Sequence, residues 1–576
     1  MVKKNFFYVV CLCAFACFIS GPVFAQKKEF DPYHYSGQKR LEVAHGAVVT
    51  AHPLASAVGV YIMKQGGNAV DAAIAVHFAL AVVYPNAGNL GGGGFMVAAL
   101  ANGKKLALDF REKAPAAAHR DMYLDAKGEA LTDKSQNGQL SAGVPGSVAG
   151  MFAILPYAKL PLRKLIQPAI DLAEYGFAIT ESEAASLNSL QEELRRYNTV
   201  TPVFAKDKWH TGDTLVQHEL AATLMRIRDK GQKGFYEGET ARLITEEMKR
   251  GGGIITLEDL KAYRPVFRNP HQFNYKGYQV MSMPMPSSGG VLLHQMMKMI
   301  EPYQISKMGF HTVQSVQLMT EVERRAYADR AEYMGDADFY KVPVAQLTSE
   351  AYLKKRMADY SPDQATPSTM IKPGQTDPTR KESEETTHYS IVDAAGNAVS
   401  ITTTLNDSYG SKTVVGGAGF FLNDEMDDFS IKPGVPNMYG AVGGEANAIQ
   451  PGKRMLSSMT PTIVLKKGRP YIVIGTPGGT TIPTQVFQTL VNILEFNMST
   501  VDAVYKPKFH HQWLPDQLML ERGFPADVRN ALEKMGYQCT ERGGIGRTET
   551  IRILPNRKLE AVADIQVCDF WRAQVG

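Results

Sequence analysis

Thr386 heads the run Thr386-Thr-His-Tyr-Ser-Ile-Val-Asp393, which follows directly on the acidic Lys381-Glu-Ser-Glu-Glu385. A threonine hydroxyl is a poor nucleophile unless a base sits beside it. A cut before Thr386 would supply that base as the new α-amine, whose ordinary pKa is about 8. Near neutral pH such an amine is partly uncharged, so it can take the hydroxyl proton and later return it to a leaving amine. No histidine is then required. Other hydrolytic plans are missing: the 576 residues hold no Gly-x-Ser-x-Gly elbow, no His-Glu-x-x-His helix and no Walker loop. Taken alone, Thr-Thr-His is also an ordinary β-prone strand start.

The surrounding motifs decide between the two readings. They are Gly88-Asn-Leu-Gly-Gly-Gly-Gly-Phe-Met96, Asp109-Phe-Arg-Glu112, Thr386-Thr-His-Tyr-Ser390, Met426-Asp-Asp-Phe429, Leu456-Ser-Ser-Met459, Pro477-Gly-Gly479 and Phe509-His-His-Gln-Trp-Leu-Pro515. Together they make the chain resemble the γ-glutamyltranspeptidase family of N-terminal-nucleophile hydrolases from about residue 40 to the C-terminus. The resemblance implies an α+β fold, a four-layer αββα sandwich shared by two chains after self-cleavage at Glu385-Thr386. It implies a γ-glutamyltransferase and glutathione hydrolase that passes the γ-glutamyl group of glutathione or a related amide to Thr386. From there the group goes to water or to an amino-acid or peptide acceptor. No metal or organic cofactor is implied.

The same resemblance assigns roles. Thr386 is the nucleophile and Thr404 the neighbouring hydroxyl that orients it. Arg111 clamps the substrate α-carboxylate with Ser457 and Ser458 as added donors, a use that suits a planar guanidinium. Asn406, Glu425 and Asp428 receive the α-ammonium. Gly478 and Gly479 give backbone N–H groups to the oxyanion at a helix start. Tyr439, within Lys432–Gly444, matches the lid of those members that have one. Two departures stand out: position 425 is Glu where many bacterial relatives carry Gln, and Ala563-Asp-Ile-Gln566 replaces a common Asp-Pro-Arg. A carboxylate at 425 still suits an ammonium.

These residues need elements to hold them. Thr386 to Asp393 and Ala398 to Leu405, joined by Ala394-Ala-Gly-Asn397, read as a β-hairpin. Pro461 to Leu465 and Tyr471 to Ile474 flank Lys466-Lys-Gly-Arg-Pro470 as a second hairpin. Gly475-Thr-Pro-Gly-Gly479 then leads into a helix ending near Glu495. Gly66-Gly-Asn opens an apolar helix, and Gly91 to Gly94 reads as a tight turn or as closely packed backbone. Residues 361–385, rich in Pro, Thr, Ser, Lys and Glu, read as an exposed flexible linker. The pair His510-His511 lacks nearby ligands to complete a metal set and reads as packing. Asp424 to Asp428 lacks the spacing and glycine of a calcium loop.

Composition bounds the remainder. With 44% hydrophobic and 21% charged residues, the chain can fill a large core. A formal charge of +4 from 62 basic and 58 acidic residues, with no dense basic stripe, argues against nucleic acid as a partner. Residues 1–25 read as a secretory signal ending Val23-Phe-Ala25, too short in its apolar run to span a bilayer. Export to the periplasm or beyond is therefore expected. The expected division is a large subunit, 26–385, and a small catalytic subunit, 386–576, associated as a heterodimer. Loss of the signal would leave Cys539 and Cys568, whose pairing the sequence leaves open. Two rival readings are an acylase for glutaryl-cephalosporin-like amides or polyglutamate on the same scaffold, and a non-catalytic amino-acid-binding protein.

Overall fold

A computed structural model describes residues 30–371 and 386–565, apart from 433 and 439. The expected signal, the stretch 372–385, Tyr439 and Cys568 lie outside the described residues. The fold is α+β. Thr386–Val392 and Ala398–Thr404 form the expected antiparallel hairpin, with Thr386 directly opposite Thr404. Asp393 closes its turn by accepting from the Ala395 and Asn397 amides.

Two antiparallel sheets dominate. The six-stranded sheet runs in the order 47–50, 386–392, 398–404, 93–99, 105–109 and 266–268. The seven-stranded sheet runs 40–43, 559–563, 549–553, 469–475, 462–466, 278–282 and 271–275. Both draw strands from either side of position 386. The two-residue side-chain period of a strand sorts each one onto two faces. In Thr386–Val392, Tyr389 and Ile391 join a cluster with the helices Pro53–Lys64 and Ala69–Val83, while Val392 faces the other sheet. The inner cluster includes Val49, Phe95, Val97 and Val392 from one sheet and Met281, Ile463, Val473 and Ile551 from the other. On the far side of the seven-stranded sheet, Val280, Val464 and Ile472 pack with the helices Gly289–Ile300, Val313–Tyr333 and Ile482–Leu494.

Local chemistry explains the helix that backs the hairpin. Asn68 and Asp71 form a capping box, each side chain satisfying amides that the first turn leaves without partners. All of Ala69–Val83 is buried, which suits its nearly unbroken apolar sequence.

Two expectations are refined. Gly93 and Gly94 lie in the strand Gly93–Ala99 and do not form a turn. A Cβ at Gly94 would lie 2.4 Å from the Thr402 carbonyl oxygen, so close packing of backbone is what the glycine run serves. The supposed linker is docked over its described part: Trp513 Nε1 donates to the carbonyls of Ser368 (3.0 Å) and Ile371 (3.1 Å). Ser368 and Ile371 are buried, which composition alone could not reveal. Among the described residues, no helix is long and apolar enough to cross a membrane.

Gly94→Val would force the central hairpin off its neighbour and should lower stability by about 3 kcal/mol, as overpacking does. Gly543→Val is the control, because a Cβ there meets nothing within 4 Å. Thermal unfolding of both variants checks this; equal midpoints would refute the packing argument.

Candidate active site

The first strand residue, Thr386, opens into a cleft of about 320 Å³ lined by Arg111, Arg330, Thr386, Thr404, Asn406, Asp428, Asn437, Ser457, Ser458, Met459, Gly479, Thr480 and Ile482. Strand pairing explains the position of Thr386. Thr386–Val392 is paired with Ala398–Thr404 along its whole length, but its ladder with Ala47–Thr50 begins only at Tyr389. The first turn of the strand is thus fixed on one edge and uncovered by that ladder on the other. Thr386 is 4% exposed, so its hydroxyl is largely shielded from bulk water.

The threonine opposite is held in its turn. Thr404 Oγ1 accepts the Asn406 amide at 2.7 Å, and Asn406 adopts φ +82° there. Asparagine tolerates this left-handed region better than most residues. The Asn406 amide side chain donates to the Asp424 carbonyl at 3.2 Å.

Arg111 follows the strand Lys105–Asp109 and is buried to 1% exposure. Its Nη1 lies 2.5 Å from Glu425 Oε2 and 3.5 Å from Glu112 Oε2, and its Nη2 donates to Asp428 Oδ2. Among the described residues, Arg111 Nε has no hydrogen-bond partner. One guanidinium therefore faces three buried carboxylates. Burial disfavours the guanidinium charge, but Glu425, Asp428 and Glu112 raise the Arg111 pKa all the same. Burial pushes the Glu112 carboxyl up to about 7, and raises Glu425 and Asp428 against the pull of Arg111. Three carboxylates face one guanidinium, so the cluster carries more potential negative charge than Arg111 neutralises, and burial favours the protonated form of the excess carboxyls.

Across the cleft, Ser457 Oγ accepts the Met459 amide at 3.2 Å and Ser458 Oγ accepts from Arg330 Nη2 at 3.1 Å. Asn437, in the segment that the sequence marks as a lid, donates to Asp428 Oδ1 at 3.1 Å, and the Met438 amide donates to Asp427. Tyr439 itself lies outside the described residues.

The glycine pair lies between the strand Arg469–Gly475 and the helix Ile482–Leu494, with a short 3-10 turn at Gly479–Thr481. Gly478 has φ +133°, and a Cβ there would lie 2.6 Å from Thr481 Oγ1, so glycine is required. Gly479 lines the cleft; Gly478 is next to it but is not among the lining residues. The next residue is held from two directions: Thr480 Oγ1 donates to Gln512 Oε1 at 2.6 Å, and the Tyr327 hydroxyl donates to the Thr480 carbonyl. His510 completes this latch, with Nε2 3.0 Å from Gln512 Oε1 and Nδ1 2.9 Å from Thr484 Oγ1. Burial lowers the His510 pKa to about 3, which keeps the ring neutral. The packing and hydrogen bonding read for His510-His511 divide between them: His510 backs the glycine turn, while His511 Nε2 meets Asp516 and its Nδ1 accepts the Trp513 amide.

The structure brings Thr386, Thr404, Arg111, Asn406, Asp428, Ser457, Ser458 and Gly479 to one cleft, with Glu425 behind Arg111. Sequence reasoning missed Arg330, Asn437, Thr480 and Gln512 as parts of the arrangement. Arg330 had no usable signal, because Glu321-Val-Glu-Arg-Arg-Ala-Tyr-Ala-Asp-Arg330 reads as a solvated helix face, yet every residue of it is buried.

Comparison with known proteins agrees with this geometry. The family model described as gamma-glutamyltranspeptidase matches residues 55–568. The glutathione hydrolase proenzyme of Escherichia coli K12 is 45% identical over 579 residues, covering 99% of each chain. Among solved structures, the γ-glutamyltranspeptidase of Helicobacter pylori is 47% identical over 56% of this chain and 94% of its own, with a TM-score of 0.54. The cephalosporin acylase of Bacillus halodurans superposes with a TM-score of 0.81 at 26% identity, covering 95% of this chain and 99% of its own. A cleft with a threonine at a strand head, set in a chain matched nearly end to end, places this protein in the γ-glutamyltranspeptidase family.

Proposed function

We propose that Thr386 acts twice, first cutting its own chain and then carrying a γ-glutamyl group. The enzyme is a self-processed γ-glutamyltransferase and glutathione hydrolase. One observation supports its substrate class above the others: Arg111 sits among three buried carboxylates in a cleft that also offers two serine hydroxyls. The α-ammonium of a γ-glutamyl head supplies the cation that Glu425 and Asp428 lack, with Asn406 beside them. The α-carboxylate takes donors from Ser457, Ser458 and the N–H groups of Arg111 that its ion pairs leave over. A glutaryl amide has no ammonium and would leave the carboxylate surplus unneutralised, which disfavours the acylase reading. An amino-acid-binding protein would not need Thr386 at a scissile bond.

In the precursor the Thr386 nitrogen is a peptide amide and cannot serve as a base. Attack of Oγ1 on the Glu385 carbonyl moves that acyl group from nitrogen to oxygen, and water then releases residue 385 as a carboxylate. The freed amine takes the Oγ1 proton as Oγ1 attacks the substrate γ-carbonyl. Amides of Gly478 and Gly479 stabilise the oxyanion. The amine returns the proton to the leaving nitrogen, and water or an acceptor amine attacks the ester in the reverse sense. Thr404, opposite Thr386, orients the nucleophile, and the segment containing Tyr439 serves as a lid that limits water.

The layers of helices, sheet, sheet and helices correspond in this reading to the four-layer αββα sandwich of N-terminal-nucleophile hydrolases. After scission, chains 26–385 and 386–576 stay together as a heterodimer, since parting them would expose both sheet edges and the core between. Residues 1–25 direct export and are removed.

Thr386→Ala should accumulate as one inactive chain, whereas Thr386→Ser should cut more slowly and keep reduced activity, because serine lacks the methyl that restricts χ1. Gel analysis, turnover of γ-glutamyl-p-nitroanilide and N-terminal sequencing check this; the small subunit should begin Thr-Thr-His-Tyr, and normal maturation of Thr386→Ala would end the proposal. Arg111→Lys should raise KM by ~10–100-fold with self-cleavage retained, because an ammonium cannot replace the planar fork. An unchanged KM would remove Arg111 from the site. Gln512→Leu, which frees Thr480, should lower kcat by ~10-fold or more at little change in KM, since slight misplacement of a reacting group is costly. A kcat equal to that of the unaltered enzyme would show that the latch does not position the glycine turn.

A further inference from the structure

We propose that Arg330 is a positioning residue for the substrate α-carboxylate: it aims the Ser458 hydroxyl into the cleft and supplies the positive charge that Arg111 spends on its own carboxylates. The inference rests on the reading of Ser457 and Ser458 as carboxylate donors given above.

Arg330 lies near the end of the helix Val313–Tyr333, is 7% exposed and lines the cleft. Its Nε donates to Ser288 Oγ and its Nη2 to Ser458 Oγ, both at 3.1 Å. No carboxylate of the described residues lies within salt-bridge distance of it, in contrast to the three around Arg111. A buried guanidinium without an anion is costly, so such a residue is kept where an anion arrives. Burial also lowers its pKa, although Tyr327 and the Asp428 carboxylate pull the other way.

The serine hydrogens complete the argument. A hydroxyl has one proton to give and two lone pairs to receive. Ser458 Oγ already accepts from Arg330, and Ser457 Oγ accepts from the Met459 amide. Among the described residues neither hydroxyl has an acceptor of its own, so both protons remain for a ligand in the cleft. Ser288 carries the effect to the second serine: its amide and its hydroxyl both donate to the Ser457 carbonyl at 2.8 Å. Arg330 and Ser288 precede the scissile bond while Ser457 and Ser458 follow it, so one subunit sets the donors of the other.

The test compares γ-glutamyl-p-nitroanilide with 4-aminobutyryl-p-nitroanilide, which differs only in lacking the α-carboxylate. Arg330→Gln should raise KM for the first by ~30-fold with kcat within about threefold, and should leave kcat/KM for the second within about twofold, given the strength of charge-assisted hydrogen bonds. Arg330→Lys, which keeps the charge, should recover part of the loss. Ser288→Ala, which removes the acceptor of Arg330 Nε and one of the two donors to the Ser457 carbonyl, should raise KM by about threefold. Appearance of two chains on a gel reports that each variant has folded, and if Arg330→Gln does not mature, the Lys variant carries the comparison. Equal losses on both anilides, or an unchanged KM, would overturn the role of Arg330. An unaltered enzyme that turned over both anilides equally well would instead refute the head-group reading beneath it.

Discussion

The pairing of the strand Thr386–Val392 with Ala398–Thr404 is the constraint on which the rest depends. It is an interior pairing, continued by Gly93–Ala99 on one side and Ala47–Thr50 on the other. A chain cut at Thr386 would ordinarily fray, since termini lose the contacts that order them. Here seven residue pairs in register, starting at Thr386↔Thr404, hold the new end. The nucleophile can become a terminus without becoming mobile. Gly92 and Gly94 permit this by letting the neighbouring strand approach closer than any side chain would allow.

Around that fixed point the site is built from buried charge. Glu112, Glu425 and Asp428 converge on Arg111, while the Arg330 side chain hydrogen-bonds to the Ser288 and Ser458 hydroxyls and feels Asp428 only through space. Each arrangement is unfavourable when empty, because burial penalises charge that is not matched. On the proposed reading, an α-amino acid head carries both missing charges on one carbon and corrects both at once. Binding energy and selectivity then share one origin: a ligand lacking either group leaves one of the two imbalances in place.

The nucleophile's supports come from widely separated stretches of chain. Tyr327 and Arg330 lie on one helix, the first holding the Thr480 carbonyl and the second the Ser458 hydroxyl. Gln512 reaches Thr480 from the other side and is itself held by His510. This helix therefore touches both the glycine turn and the Ser458 end of the cleft. A single rigid element registers the two against each other, as precise catalytic geometry demands.

What could be read in the sequence was what local pattern and motif determine. The hairpin after Thr386, the second hairpin around Lys466 to Pro470, the capped apolar helix after Asn68 and the glycine turn at Gly478 all follow from strand alternation, turn residues and capping chemistry within a few positions. Thr386, Arg111, Asp428, Ser457, Ser458, Gly478 and Gly479 were legible because each stands inside a distinctive motif, and Thr404, Asn406 and Glu425 through the family resemblance those motifs carry. The roles of Arg330, Gln512 and Tyr327 were not, although Gln512 stands in one of those motifs, because they depend on contacts 128, 32 and 153 residues away. The same reason hid the docking of Ser368 and Ile371: a polar, proline-rich stretch looks solvated until Trp513 is seen to bind its carbonyls. Composition and spacing report what a segment can do, but only the tertiary structure decides which charges are buried together, since burial is set by neighbours that the local sequence does not contain.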